Sequence, residues 1–377
     1  MAGMRIAEPV EAAIAANRIV GAVVAIAHRG RTVMLEAFGA ADREAGRAMT
    51  ADSVFLLASA TKPIATAAIL ALAEQGTLDL DAPVTTWLPA FRPAFEGTAP
   101  LITLRHLLTH TSGLSYPFRE LPDGPYHRAG VVSGISGIGV TADEQLRRLG
   151  SVPLLFMPGS RWEYSLGVDV AGFAAARAAG ESLPDLVARH ITGPLGMDDT
   201  AFAVRDRARL VAHYGIDAAG APLRMSDGYE GPSAMSPALF DPSRLFHPAS
   251  YASAGGGMAG TAADLLAFIE MLRQGGRGIL PSAVVAQMTR NALPLHIGDA
   301  LEPGWGYGLG TEVLVDSSRS EGPELPGAFK GSGAYGHRWL VDPSRELSAV
   351  ILTNTAPEGL RGAFAPATRT AIYDTCW

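Results

Sequence analysis

Lysine is nearly absent from this chain. There are two, Lys62 and Lys330, and every other basic residue is arginine. An arginine keeps its proton at any working pH, whereas a lysine withdrawn from water can give it up. Lys62 lies three residues after Ser59 in Ser59-Ala60-Thr61-Lys62-Pro63, at the expected mouth of a helix. That spacing puts both side chains on one helical face, about a turn apart. A serine hydroxyl is a weak nucleophile until a neighbouring base takes its proton. A lysine whose pKa is lowered by burial or by nearby cations can be that base. The free N–H groups at the helix start would also favour an oxyanion. Taken alone the pair is weak evidence, because a capping serine followed by a solvent-facing lysine looks the same.

Two further segments could complete such a site. Tyr164 stands in Pro158-Gly159-Ser160-Arg161-Trp162-Glu163-Tyr164-Ser165-Leu166. A phenol beside an ammonium can pass protons between nucleophile and leaving group; the competing reading is a core tyrosine with a bonded hydroxyl. Lys330-Gly331-Ser332-Gly333-Ala334-Tyr335-Gly336 is small and flexible. Such residues on an edge strand let backbone approach a ligand closely, and a backbone N–H there could pair with that of Ser59 in an oxyanion hole. The alternative is a Gly-rich turn entering a strand.

These segments occur in the order and spacing of a known family. The chain resembles the serine β-lactamase and penicillin-binding-protein superfamily, within it the class C β-lactamase-like branch, and most of all the family VIII carboxylesterases. Ser59-Ala60-Thr61-Lys62 matches the Ser-x-x-Lys motif, and Leu107-Leu108-Thr109-His110-Thr111-Ser112-Gly113-Leu114 matches a segment specific to this branch. Pro158-Gly159 followed by Tyr164-Ser165-Leu166 matches the Tyr motif, and Gly331-Ser332-Gly333 lies where a Lys-Thr-Gly, His-x-Gly or Trp-x-Gly box is found. There are two departures. Leu166 stands where β-lactamases and peptidases carry Asn, which favours ester chemistry. Gly331 replaces the first residue of the third box, and strand alternation would point Lys330 away from the site.

The resemblance implies an α+β fold: an antiparallel sheet built from N- and C-terminal segments, flanked by helices, with a mostly helical insert. It implies catalytic Ser59, Lys62 and Tyr164, and an oxyanion hole from the N–H groups of Ser59 and Ala334. Gly331, Ser332, Gly333, Tyr116 and Tyr335 would contact substrate, with Phe118, Tyr126 and Trp305 as further aromatic lining. The implied activity is hydrolysis of small carboxylic esters through an acyl-enzyme, with no cofactor and no metal. A β-lactamase, a D-amino-acid peptidase or amidase, and an acyltransferase remain open on the same scaffold, as does a catalytically silent binding protein. No Gly-x-Ser-x-Gly elbow is present, so an α/β-hydrolase reading lacks a nucleophile. His106 and His110 lack a third ligand at zinc-like spacing and read as structural.

The bulk of the chain fits this. Its 377 residues are 48% hydrophobic and 18% charged, which describes a globular protein with a sizeable core. A net charge of −7 gives no reason to expect nucleic acid. Cys376 is the only cysteine, so no internal disulfide is expected. No signal-like segment or apolar run long enough for a membrane is read, and the expected location is cytoplasmic. Oligomeric state is not legible.

The elements that must hold the site follow from periodicity. Residues 10–17 read as a helix, 20–28 and 32–38 as a hairpin buried on both faces, and 59–76 as a helix with one apolar stripe. Thr103 should cap a short helix; 116–141 reads as a binding loop or lid. Helices are expected near 142–149, 167–179, 183–191 and 261–274. Strands are expected at 308–315, 334–341 and 347–353, with a closing helix over 362–374. Residues 1–84 with about 285–377 would then form one domain, and about 85–284 the inserted region.

Overall fold

The structure is a computed structural model that describes residues 2–233, 235–294, 296–300 and 302–375. Cys376 lies outside the described residues. Eight antiparallel strands form the main sheet. From the N-terminal part come β1 (Gly21–His28), β2 (Arg31–Asp42) and β3 (Arg47–Ala48). From the C-terminal part come β4 (Trp305–Tyr307), β5 (Glu312–Leu314), β6 (Phe329–Gly333), β7 (His337–Asp342) and β8 (Leu347–Thr353). Their order is β4-β5-β6-β7-β8-β1-β2-β3, so the two ends of the chain meet where β1 pairs with β8. The expected α+β architecture is present.

The central strands are apolar on both faces because both are covered. Val23 and Ala25 of β1, with Val350 and Leu352 of β8, pack inward against α2 (Thr61–Glu74) and α4 (Ala262–Arg273). Val24 and Ile26, with Ala349 and Ile351, pack outward against α1 (Ala2–Ala15) and α5 (Phe364–Asp374). The second half of the hairpin differs from expectation. Val33 and Leu35 of β2 are 47% and 39% exposed, because only the two-residue β3 lies beyond and, among the described residues, no helix covers that face. The first helix begins earlier than read, with Pro9 inside it. Helix α2 is buried all round from Thr61 to Leu72 rather than along a stripe, because it threads the core between the sheet and α3 (Gly167–Ala179).

Thr103 caps Leu104–Leu108, its side chain accepting from His106 N, while His106 Nδ1 accepts from Thr103 N. Residues 116–141 carry two short helical turns, Pro117–Arg119 and Pro125–Arg128. Of the expected 308–315 strand only β5 is present, preceded by a turn in which Gly310 has φ +86, and β4 ends before that range begins. The expected 334–341 strand begins only at His337, since Ala334–Gly336 form the hairpin turn with Gly336 at φ +110. Among the described residues no helix is long and apolar enough to cross a membrane.

Candidate active site

Ser59 sits in a single 3-10 turn, Ala58–Ala60, directly before α2. Ala58 holds a left-handed φ of +45, costly for a residue with a Cβ, and fully buried packing keeps it there. The turn leaves Ser59 half-buried and Lys62 one turn further on the same face. Lys62 Nζ donates to Ser59 Oγ at 3.1 Å and to the carbonyl oxygen of Gly255 at 2.7 Å. Lys62 is 2% exposed, so nearly all its polar contacts are made by the protein.

Aromatic rings surround the ammonium. Lys62 Nζ lies 4.7 Å from the ring centre of Tyr164 and 5.5 Å from that of Tyr116. Tyr164 therefore meets the amine through its ring face, while its hydroxyl bonds to neither Ser59 nor Lys62. Tyr116 stacks behind Tyr164 at 5.4 Å, and burial pushes its phenol well above the usual range, with Tyr164 and Asp169 adding to the shift. Behind these rings His110 is fully buried and accepts through Nδ1 from the N–H of Ser165 at 3.2 Å. Burial, reinforced by Lys62 and Arg119, lowers its pKa far enough that the imidazole is neutral. His106 and His110 thus serve a cap and a loop anchor. Among the described residues no group of three His, Cys, Asp or Glu side chains is placed to hold a metal ion.

Ser59, Lys62 and Tyr164 share a cavity of about 230 Å³. Gly331, Ser332 and Ala334 line the same cavity. Strand β6 reaches the serine turn because Gly333 has no side chain: a Cβ there would stand 2.4 Å from the carbonyl oxygen of Leu57. Gly333 is accordingly a packing position and not part of the lining. Tyr116 and Tyr335 are also off the cavity. Tyr335 is buried against His213 and Phe240, at 4.5 and 5.2 Å between ring centres. Of the other aromatic residues expected in the lining, Phe118 is present. Tyr126 is buried with its hydroxyl accepting from Ser115 N, and Trp305 lies under Lys330, whose Nζ is 3.7 Å from its ring centre.

Lys330 does not point away. It lines the cavity edge, with Nζ bonded to Glu302 at 2.5 Å and 3.9 Å from Glu312. Lys330 shares a face of the sheet with its register partners Glu312 and Leu340, opposite to Gly331 and Trp339, so alternation holds for the strand while Lys330 still lines the cavity edge. Glu312 is buried, and burial pushes its carboxyl up to about 7, against the pull of Lys330.

Sequence reasoning missed several wall residues: Tyr229 and Phe240 on one side, and Tyr307, Glu312 and Trp339 on the other. It also missed what holds Lys62. Gly255, which supplies the carbonyl, donates its own N–H to Asp169 Oδ1 at 3.4 Å. Burial raises the Asp169 carboxyl above its ordinary range. The run Gly255-Gly256-Gly257 was the available signal, since a Cβ on Gly255 would lie 2.5 Å from Asp169 Oδ2.

A Beta-lactamase family model matches residues 6–372. The chain belongs to the beta-lactamase family. Within it, the chain is 43% identical over 365 residues to Esterase EstB of Burkholderia gladioli, covering 96% of this chain and 92% of that one. It is 31% identical over 370 residues to Protein Rv1367c of Mycobacterium tuberculosis, covering 91% and 88%. Among solved structures it resembles EstCE1, described as a hydrolase with promiscuous acyltransferase activity. That match has a TM-score of 0.94 and 38% identity over 99% of this chain and 98% of the other. Against this family pattern Leu166 is fully buried at the start of α3, so no polar side chain reaches the cavity from that position.

Proposed function

We propose that this protein is a carboxylesterase, a serine hydrolase that cleaves small carboxylic esters through an acyl-enzyme on Ser59. The observation that carries this is the 3.1 Å bond from Lys62 to the Ser59 hydroxyl at the wall of an open cavity. In the proposed reaction Lys62 acts as the neutral amine, accepting the Ser59 proton as Ser59 Oγ attacks the ester carbonyl carbon. The N–H groups of Ser59 and Ala334 hold the oxyanion, a contribution worth ~10²–10³ in rate per donor. Tyr164 passes the proton from Lys62 to the departing alcohol as its C–O bond breaks, and water then attacks the acyl carbonyl, releasing the acid and returning a proton to Ser59. The Gly255 carbonyl holds the amine against the hydroxyl, so Lys62 is pre-positioned before substrate arrives. The two segments 1–84 and about 285–377 on one side, and about 85–284 on the other, serve as the two walls in this proposal.

The likeness to Esterase EstB and to the hydrolase EstCE1 supports ester over β-lactam or amide chemistry, as do Leu166 and Gly331, which remove polar groups those substrates would use. The test is turnover of p-nitrophenyl acetate and butyrate by Ser59→Ala and Lys62→Ala proteins. Both should fall at least ~10³-fold, and a fluorophosphonate probe should label the wild type at Ser59. Wild-type turnover by Ser59→Ala would refute the mechanism.

Acyl transfer is a second reading with its own support. Ile135, Tyr229, Pro232, Phe240 and Leu360 give the cavity an apolar wall that suits an organic alcohol as the second substrate. Adding a primary alcohol during ester turnover should then divert acyl groups from acid to new ester.

A further inference from the structure

The walls of the cavity differ in chemistry. Ile135, Tyr229, Ala238, Phe240 and Ala356 line it and pack with Ala58 and Ala334 in one apolar cluster. That wall therefore flanks the proposed oxyanion hole. Tyr164 belongs to the other side, where it packs on the main core. In the tetrahedral adduct the oxyanion points to the N–H groups of Ser59 and Ala334, and the leaving alcohol to Tyr164. The acyl chain then takes the apolar wall, and the alcohol portion takes the Tyr164 side.

On the Tyr164 side stands a carboxyl group that the protein leaves without a hydrogen bond. The His110 ring packs against both Tyr164 and Tyr307, at 4.7 and 5.1 Å between ring centres. Tyr307 on β4 is the register partner of Glu312 on β5. Glu312 lines the cavity, with 11% of its side chain exposed. It accepts no hydrogen bond among the described residues, and its oxygens are not sealed off as the indole nitrogen of Trp339 is. Lys330, 3.9 Å away, is bonded to Glu302 at 2.5 Å. That pair cancels, so an ionised Glu312 leaves one negative charge on this wall. Other cations of the lining do not answer it. Arg119 is bonded to Glu163, and Arg361 is exposed on the short helical turn that follows Ala356 of the apolar wall. A buried polar group is normally paired, and one that opens onto a ligand cavity is matched by what the ligand brings. A carboxylate beside the rings of Tyr164 and Tyr307 suits an alkylammonium group, which gains both a counter-charge and aromatic surface.

We propose that Glu312 is a specificity-determining residue that receives a cationic ammonium group in the alcohol portion of the ester. The preferred substrates then join an apolar acid to an amino alcohol. This rests on the esterase reading, and the experiment separates the two.

The substrates are acetylcholine and 3,3-dimethylbutyl acetate, which differ by a quaternary nitrogen in place of a quaternary carbon. Both form the same acetyl-enzyme, so the ratio of their kcat/KM values reports binding and acylation alone. Neither ester titrates between pH 6 and 8, and the ionisations of Lys62 and Tyr164 enter both rates. At pH 8 the wild type should favour acetylcholine. Glu312→Gln keeps the shape of the acid and should lower the charged-to-neutral ratio about tenfold, as expected for one ion pair facing a cavity. The charged and titratable groups around Glu312 are Tyr307 of β4, Lys330 of β6, Arg338 of β7 and Glu302 ahead of β4. Burial holds Tyr307 neutral and pushes the Glu312 carboxyl up to about 7. The wild-type ratio should therefore rise from pH 6 to 8, while the ratio for Glu312→Gln stays level. If the variant does not fold, the wild-type pH series decides alone. Where turnover is too slow to follow, inhibition of p-nitrophenyl acetate hydrolysis by each ester gives the same comparison. A ratio for folded Glu312→Gln within threefold of the wild type at pH 8, or a wild-type ratio that is level from pH 6 to 8, overturns the inference. Absence of wild-type turnover on p-nitrophenyl acetate would instead remove the esterase reading.

Discussion

Replacing Glu312 with glutamine should stabilise the protein above neutral pH and change little in acid. The Glu312 carboxyl is buried on the cavity wall, and its nearest cation, Lys330, is 3.9 Å away and already bonded to Glu302. Burial pushes its pKa from 4.5 up to about 7. The folded protein therefore holds the Glu312 proton more tightly than the unfolded chain does. Below about pH 4.5 both states carry it and nothing is lost. As pH rises toward 7 the unfolded state ionises first and gains, so folding stability falls through this window and levels off above it. At ~1.4 kcal/mol per unit, the displacement corresponds to about 3 kcal/mol of destabilisation at high pH. Unfolding entropy of roughly 2.1 cal/mol/K per residue makes that about 4 °C in Tm for a chain this long. Glutamine has the shape of the neutral acid and cannot ionise. The assay is Tm and urea midpoint for wild type and Glu312→Gln from pH 4 to 9. The difference between the two curves isolates this one group from every other titration. It should be near zero at pH 4, open between pH 5 and 7, and stay constant beyond. A constant difference at all pH values, or a variant less stable at pH 8.5, would refute the reasoning.

Other outcomes follow from the same geometry. His213 and His337 bracket the strand before Ser59, one ring nitrogen accepting from Leu56 N at 3.3 Å and another 2.9 Å from Leu56 O. Burial lowers them to about 3 and about 4 from 6.5, so both are neutral when folded, and their stabilisation is complete above pH 6.5. Between pH 6.5 and 4 stability should fall with a slope of up to about 2.7 kcal/mol per pH unit, read from urea midpoints. Gly333→Ala would drive a Cβ into the Leu57 carbonyl and move β6 off the serine turn; we expect kcat to fall about 10²-fold while the far-UV spectrum is unchanged. Leu166→Asn would put an amide into a fully buried site, lowering stability by about 2–4 kcal/mol by urea titration without creating nitrocefin turnover.

What the sequence by itself determined is local. Ser59 and Lys62 meet because three residues of helix bring side chains together whatever surrounds them. Thr103 caps its helix through atoms three residues away, and the apolar runs of β1 and β8 could only be strands covered on both sides. The ordered motifs around them also carried the family, and with it the α+β plan. Tertiary structure decided everything that depends on a direction in space. Gly255 delivers its carbonyl to Lys62 across 193 residues of chain, and no periodicity encodes that meeting. Tyr116 and Tyr335 lie in loops, whose side chains have no period, and packing turned both away from the cavity. Lys330 and Glu312 lie toward a sheet edge where alternation gives the face of the strand but not where a long side chain ends. Trp339 could enter the site only because Gly331, its partner across two strands, left the space open. That complementarity exists between folded strands and not along the chain.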